Sequence, residues 1–152
     1  MTELVNRLKE LQLTIGSIES MTGGLFASNI TSVPGASKVF KGSVVSYSAL
    51  IKESVVGVKK ETIDKYGVVS SKVAYEMAEK GRKLLDVDIC VSVTGNAGPT
   101  AEPGEEGVGV VYLGISSKEG TRTIRKQFNG NREEIRQQTL LALQEEILYN
   151  LN

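Results

Sequence analysis

The apolar residues of this chain switch repeatedly between two periods, and that switching limits the fold more than any single motif does. Leu4, Leu8 and Leu11 recur at helical spacing, whereas the following Leu13-Thr14-Ile15-Gly16-Ser17-Ile18 alternates as a strand does. Leu25, Phe26, Asn29 and Ile30 return to helical spacing before Val33-Pro34-Gly35 turns the chain. Residues 39–46 contain β-branched residues around Gly42 and Ser43, which predicts a strand with a bulge, and a helix starting near Ser48 then carries Lys52. Residues 60–67 predict a short helix closed by Gly67. Ser70 heads a longer one through Val73, Ala74, Met77, Ala78, Gly81, Leu84 and Leu85. Residues 87–94 are apolar enough for a strand covered on both faces, and Gly95-Asn96-Ala97-Gly98-Pro99 ends it. Strands over 108–115 and 121–128 flank Ser-Ser-Lys-Glu-Gly, a hairpin composition, and a last helix runs over 132–149. The alternation predicts an α/β fold: a three-layer α/β/α sandwich with a mixed, mostly parallel sheet of about five strands.

Length and composition narrow the function classes. A chain of 152 residues, 40% hydrophobic, suffices for one substantial core, so a single domain over 1–152 is expected. Lys plus Arg equals Asp plus Glu at 18 each, which leaves no overall basic field for nucleic acid or an anionic membrane and favours a small ligand or a protein partner. The first residues lack the positive start and long apolar run of a signal peptide, and no segment has the roughly 18 apolar residues of a membrane span, so a cytoplasmic location is expected. The single cysteine, Cys90, sits in an apolar run, reads as core and excludes an internal disulfide.

Histidine is absent. That removes Ser-His and Cys-His catalysis and the usual zinc ligand sets, so hydrolytic chemistry here needs another base. Asp86 and Asp88 bracket a strand start without a partner at metal-ligand spacing and read as a solvated turn; no metal or cofactor is assigned.

Ligands of open α/β sheets gather at the carboxyl ends of strands and at helix N-termini. Three loops qualify. In Glu19-Ser20-Met21-Thr22-Gly23-Gly24, Ser20 stands at a strand end as a nucleophile or a capping hydroxyl, Thr22 is a helix cap, and Gly23 and Gly24 let backbone approach a phosphate or carbonyl oxygen. Glu19 either orients a ligand amide or anchors loop N–H groups. The second loop holds Tyr47 and, five residues on, Lys52. A lysine freed of its proton by burial acts as a base directly or through a tyrosine hydroxyl; the alternative is a half-buried aromatic and a solvated charge. The third, Thr94-Gly95-Asn96-Ala97-Gly98-Pro99, offers groups for a ribose, phosphate or carboxamide, or is simply a glycine-rich turn. Arg132, opening the last helix, either clamps a phosphate or pairs with Glu133 or Glu134.

In order along the chain, Glu19-Ser20-Met21-Thr22-Gly23-Gly24, Val33-Pro34-Gly35-Ala36-Ser37, Tyr47-Ser48 with Lys52, Gly67-Val68-Val69-Ser70, Ser92-Val93-Thr94-Gly95 with Ala97-Gly98-Pro99, and Gly130-Asn131-Arg132 resemble the C-terminal domain of the CinA competence/damage-inducible family. The resemblance runs from about Leu4 to Leu148. It implies hydrolysis of the carboxamide of nicotinamide mononucleotide to nicotinic acid mononucleotide and ammonia by a serine nucleophile without a metal. Carried over by motif, Ser20 resembles the nucleophile and Tyr47 and Lys52 the activating pair. Backbone N–H groups near Met21 to Gly23 are the expected oxyanion donors, and Glu19, Thr22, Gly23, Gly24, Thr94, Gly95, Asn96 and Arg132 are expected to bind substrate. The same resemblance implies a homodimer or homotrimer. The alternative is a nucleotide-binding or interaction module of the same fold whose chemistry has lapsed. Met21, the Ala49-Leu50-Ile51 stretch, Asn131 and the short acidic loop 100–106 depart from the family pattern, and carboxylates facing the site from that loop would repel a phosphate.

Overall fold

A computed structural model describes residues 1–152. Helix α1 (Thr2–Leu11) ends where Gln12 turns left-handed and its N–H returns to Lys9, so strand β1 (Ile15–Glu19) starts two residues later than the alternation from Leu13 predicts. Then follow α2 (Leu25–Thr31), a 3₁₀ turn at Ala36–Lys38 and β2 (Phe40–Val45). After them come α3 (Ala49–Ile51), which continues into a π-helical turn at Lys52–Val56, then α4 (Lys60–Tyr66) and α5 (Ser71–Leu85). The chain closes with β3 (Ile89–Gly95), β4 (Val110–Ser117), β5 (Gly120–Gln127) and α6 (Arg132–Leu151).

The five strands form one sheet in the order β2-β1-β3-β4-β5. β1 runs parallel to β2 and β3, while β4 is antiparallel to both its neighbours, so four strands point one way and only β4 returns. The bulge expected near Gly42 is present: the register steps from Ile15 opposite Phe40 to Gly16 opposite Gly42, leaving Lys41 as the extra residue. The β4–β5 turn is tighter than its composition implied. Ser116 and Ser117 pair with Thr121 and Gly120, and only Lys118 and Glu119 make the turn.

Helices cover both faces of this sheet. Alternate strand residues divide between the two layers, as the pleat requires. Ile15, Val91 and Val93 pack with Leu4, Phe26 and Ile135 from α1, α2 and α6, whereas Ile18 and Cys90 pack with Val73 and Met77 of α5. The second layer lies so close that Gly81 is required: a Cβ there would collide with Ile18 and stand 2.8 Å from Cys90 Sγ. Ser70 caps α5 through the Val73 N–H, and Asn131 with Glu134 forms a capping box on α6, fixing where both helices begin.

Candidate active site

Because β1, β2 and β3 are parallel, their carboxyl ends meet at one edge of the sheet, and the loops leaving them surround a single cleft. Its wall includes Ser20, Tyr47, Lys52, Thr94, Gly95, Asn96 and Arg132, seven of the residues expected from sequence, and its volume is roughly 220 Å³.

Ser20 directly follows β1. Its N–H donates to Val93 O (3.0 Å), which extends the β1–β3 ladder by one bond and holds the serine rigidly at the strand end. Lys52 reaches it from the other side. Ser48 caps α3 by accepting the Ile51 N–H, and the π-helical turn that follows closes at Gly57, whose φ of 94° suits glycine. This turn carries the Lys52 side chain inward, where it is 1% exposed. Its Nζ donates to Ser20 Oγ (2.9 Å) and to Ser46 O (2.7 Å). Burial, with no opposing charge, pulls its pKa down to about 8. The neutral amine keeps one hydrogen for Ser46 O and turns its lone pair to the serine, so the same two contacts serve a base as well as an ammonium.

Tyr47 is placed differently from the activating role implied for it. Its ring is 62% exposed, and its hydroxyl accepts from Arg132 Nη2 (3.0 Å) and bonds neither Ser20 nor Lys52. Arg132 also donates from Nη1 to Gly98 O (2.7 Å), so it ties the second loop to the third instead of pairing with Glu133 or Glu134. Thr94 Oγ1 donates to Val68 O (2.7 Å). The Asn96 amide is spent inside its loop, accepting the Gly98 N–H and donating to Thr100 O and Glu106 O. Gly95 answers to packing: a Cβ would stand 2.8 Å from Val111 Cγ2 and 3.0 Å from Val110 O on the neighbouring strand.

Glu19, expected at the ligand, faces the other way and is fully buried. Its carboxylate accepts the N–H groups of Phe26 (2.9 Å) and Ala27 (3.1 Å) and the hydroxyls of Thr22, Ser17 and Ser43. It therefore caps α2 from a strand, the role expected of Thr22, whose hydroxyl is occupied as a donor to Glu19. The physical reason is conformational. Gly23 and Gly24 both adopt left-handed φ (60° and 98°) and displace the helix start to Leu25, too far for Thr22 to cap. The Thr22 hydroxyl is turned away from the cleft to Glu19, and neither glycine lines it; the glycines shape the turn.

Within that turn the Gly23 N–H donates to Ser20 O (3.0 Å), so it is not an oxyanion donor as expected. The N–H groups of Met21 and Thr22 have no acceptor in the chain, although both residues are buried, an uncommon state for buried amides. Sequence reading missed two contributors, the Ser46 carbonyl on Lys52 and Arg136, which donates to Met21 O and Thr22 O, while the acidic loop 100–106 does bring Glu102 and Glu105 to the cleft wall. Arg136 lies one helical turn beyond Arg132, and that i,i+4 spacing was the available signal.

Fold and site together define an α/β/α sandwich protein with a serine–lysine pair at the carboxyl edge of its sheet. The model of the CinA C-terminal domain matches residues 1–149, and the chain belongs to that family. It is similar to the CinA-like protein of Thermotoga neapolitana, 41% identical over an alignment of 152 positions that covers 99% of this chain and 37% of that protein. The chain spans about a third of the length of the curated relatives it matches. Among solved structures, it is similar to a competence/damage inducible protein from Agrobacterium tumefaciens (32% identity, TM-score 0.88, 99% of this chain and 94% of that one). It also resembles a CinA superfamily protein from Escherichia coli (26% identity, TM-score 0.94, 97% and 86%). No helix is long and apolar enough to cross a membrane.

Proposed function

We propose that this chain is a serine amidohydrolase that converts the carboxamide of nicotinamide mononucleotide to the carboxylate, releasing ammonia. The observation that carries the reading is the contact of a buried lysine, poised near 8, with a strand-end serine hydroxyl at 2.9 Å. In a chain without histidine this pair supplies both nucleophile and base.

Ser20 Oγ attacks the carboxamide carbon while neutral Lys52 takes its proton. The carbonyl oxygen, now negative, is bound by the Met21 and Thr22 N–H groups. Lys52 passes its proton to the leaving nitrogen, ammonia departs, and the acyl-serine is hydrolysed by water that Lys52 deprotonates in turn. Ser46 O keeps the amine aimed throughout. A positioned base contributes roughly 10²- to 10⁴-fold and an oxyanion donor about 3 kcal/mol, so the pair and the turn act together. A cleft of roughly 220 Å³ takes the pyridine ring and its carboxamide, leaving ribose and phosphate at the mouth, where the exposed Arg132 offers its planar donors.

The test is ammonia release from nicotinamide mononucleotide by wild type, Ser20→Ala and Lys52→Ala. Turnover lost in both variants supports the reading, and undiminished release by Ser20→Ala refutes it. Absence of turnover in wild type, with nucleotide binding that disappears in Arg132→Ala, points instead to a binding module.

A further inference from the structure

Arg136 projects from α6 toward the nucleophile turn, with its side chain about three-quarters buried. Its Nε donates to Met21 O (3.1 Å) and its Nη2 to Thr22 O (2.9 Å), while Nη1 holds Glu133 (2.7 Å). The carbonyl of Met21 and the N–H of Thr22 belong to one peptide unit. A carbonyl that accepts a charge-assisted bond withdraws density from its own amide nitrogen, which strengthens the N–H on the far side and fixes its direction. The Met21 N–H has a parallel arrangement, since the carbonyl of its peptide, Ser20 O, accepts the Gly23 N–H. The peptides that carry the Met21 and Thr22 N–H groups are thus gripped from behind, one by the turn itself and one by a side chain 115 residues away in sequence.

We propose that Arg136 is the positioning residue of an oxyanion site formed by the Met21 and Thr22 N–H groups: it aligns and polarises the Thr22 donor without touching substrate. The proposal rests on the amidohydrolase reading above. It accounts for why an arginine, with separate donors in a rigid fork, stands where one ammonium could not hold two successive carbonyls in the same geometry.

The test compares wild type, Arg136→Gln, Arg136→Lys and Ser20→Ala on nicotinamide mononucleotide, with pyridine-3-carbaldehyde as inhibitor. The aldehyde adds Ser20 Oγ to its carbon, with the hydroxyl proton passing to Lys52 and an oxyanion forming in place of the carbonyl bond. Arg136→Gln is expected to lower kcat roughly tenfold to a hundredfold, less than outright loss of an oxyanion donor, with KM within about twofold. The aldehyde inhibition constant should rise by a similar factor, and Arg136→Lys should recover part of both. Unchanged kcat in Arg136→Gln while Ser20→Ala is inactive overturns this proposal alone, as does a rise confined to KM. If Arg136→Gln does not fold, Arg136→Lys decides: kcat reduced at constant KM supports the assignment, and wild-type kcat overturns it. Turnover absent from wild type, or retained in Ser20→Ala, removes the amidohydrolase reading and this assignment with it.

Discussion

Glu19 accepts the backbone N–H of Phe26 at 2.9 Å, so the last residue of β1 caps a helix that begins six residues later. The carboxylate also holds the Ala27 N–H and three hydroxyls, all away from solvent. Replacing it with alanine strands these donors. Bonds to a charged acceptor contribute about 1.5–3 kcal/mol and caps about 1, so Glu19→Ala should lose roughly 2–4 kcal/mol, readable in urea unfolding. Glu19→Gln keeps one acceptor oxygen and should lose less. A Glu19→Ala protein as stable as wild type would refute the capping role.

Lys52 links stability to pH. Its pKa is about 8 in the folded protein against an ordinary value of 10.5, so between those values the unfolded chain holds a proton that the native state has released. Stability therefore rises with pH across that window and is lost as pH falls through about 8. Relative to Lys52→Met, wild type should gain up to roughly 3 kcal/mol between pH 7 and 10.5, measured by urea unfolding at each pH. In the proposed reaction the base is the neutral amine, so kcat/KM should climb through about pH 8. A flat stability difference, or a rate that falls as pH rises from 7 to 9, would contradict this placement.

Gly81 faces Ile18 and Cys90 across the α5–sheet contact. Alanine there improves helix propensity by about 1 kcal/mol in an open helix, but the methyl has no room and α5 must shift. We expect Gly81→Ala to be destabilising by about 1–3 kcal/mol, seen as a lower thermal midpoint. An unchanged or raised midpoint would show that the contact relaxes freely.

Cys90 is fully buried, and burial pushes its thiol up to about 12. Iodoacetamide should therefore leave the native protein unlabelled at pH 8 and modify it promptly in denaturant. Turnover, where present, should survive the native treatment. Rapid native labelling would show that this strand opens locally.

The layers of the fold were legible because each element states its period over enough residues: Val73, Met77 and Gly81 mark one helix face, and 87–94 is apolar on both sides. Cap chemistry also read correctly at Ser70, where side chain and backbone donor lie three residues apart. The site was legible as residue types and not as contacts. Lys52 was found because a chain without histidine has few bases to offer, but Tyr47 and Lys52, five residues apart, point to different partners because α3 separates them and Lys52 opens the π turn that carries it inward. The exchange of roles between Thr22 and Glu19 depends on two left-handed glycines, and no periodicity reports φ. Arg136 contacts carbonyls, which carry no side-chain identity, so its i,i+4 spacing from Arg132 could place it on the same helix face but not name its partners.

The returning strand β4 has a consequence for how this cleft can vary. Residues 97–109 leave β3 and re-enter β4 at the same end of the sheet, pinned at the base where Asn96 N–H meets Val110 O (3.0 Å) and Gly109 N–H meets Asn96 O (2.7 Å). Ser20 and Lys52 are anchored outside that span. Residues can thus be added to or removed from its acidic tip, with Glu102 and Glu105, without shifting a strand register or moving the serine from its lysine. That wall of the cleft is free to diversify while the serine–lysine pair stays fixed.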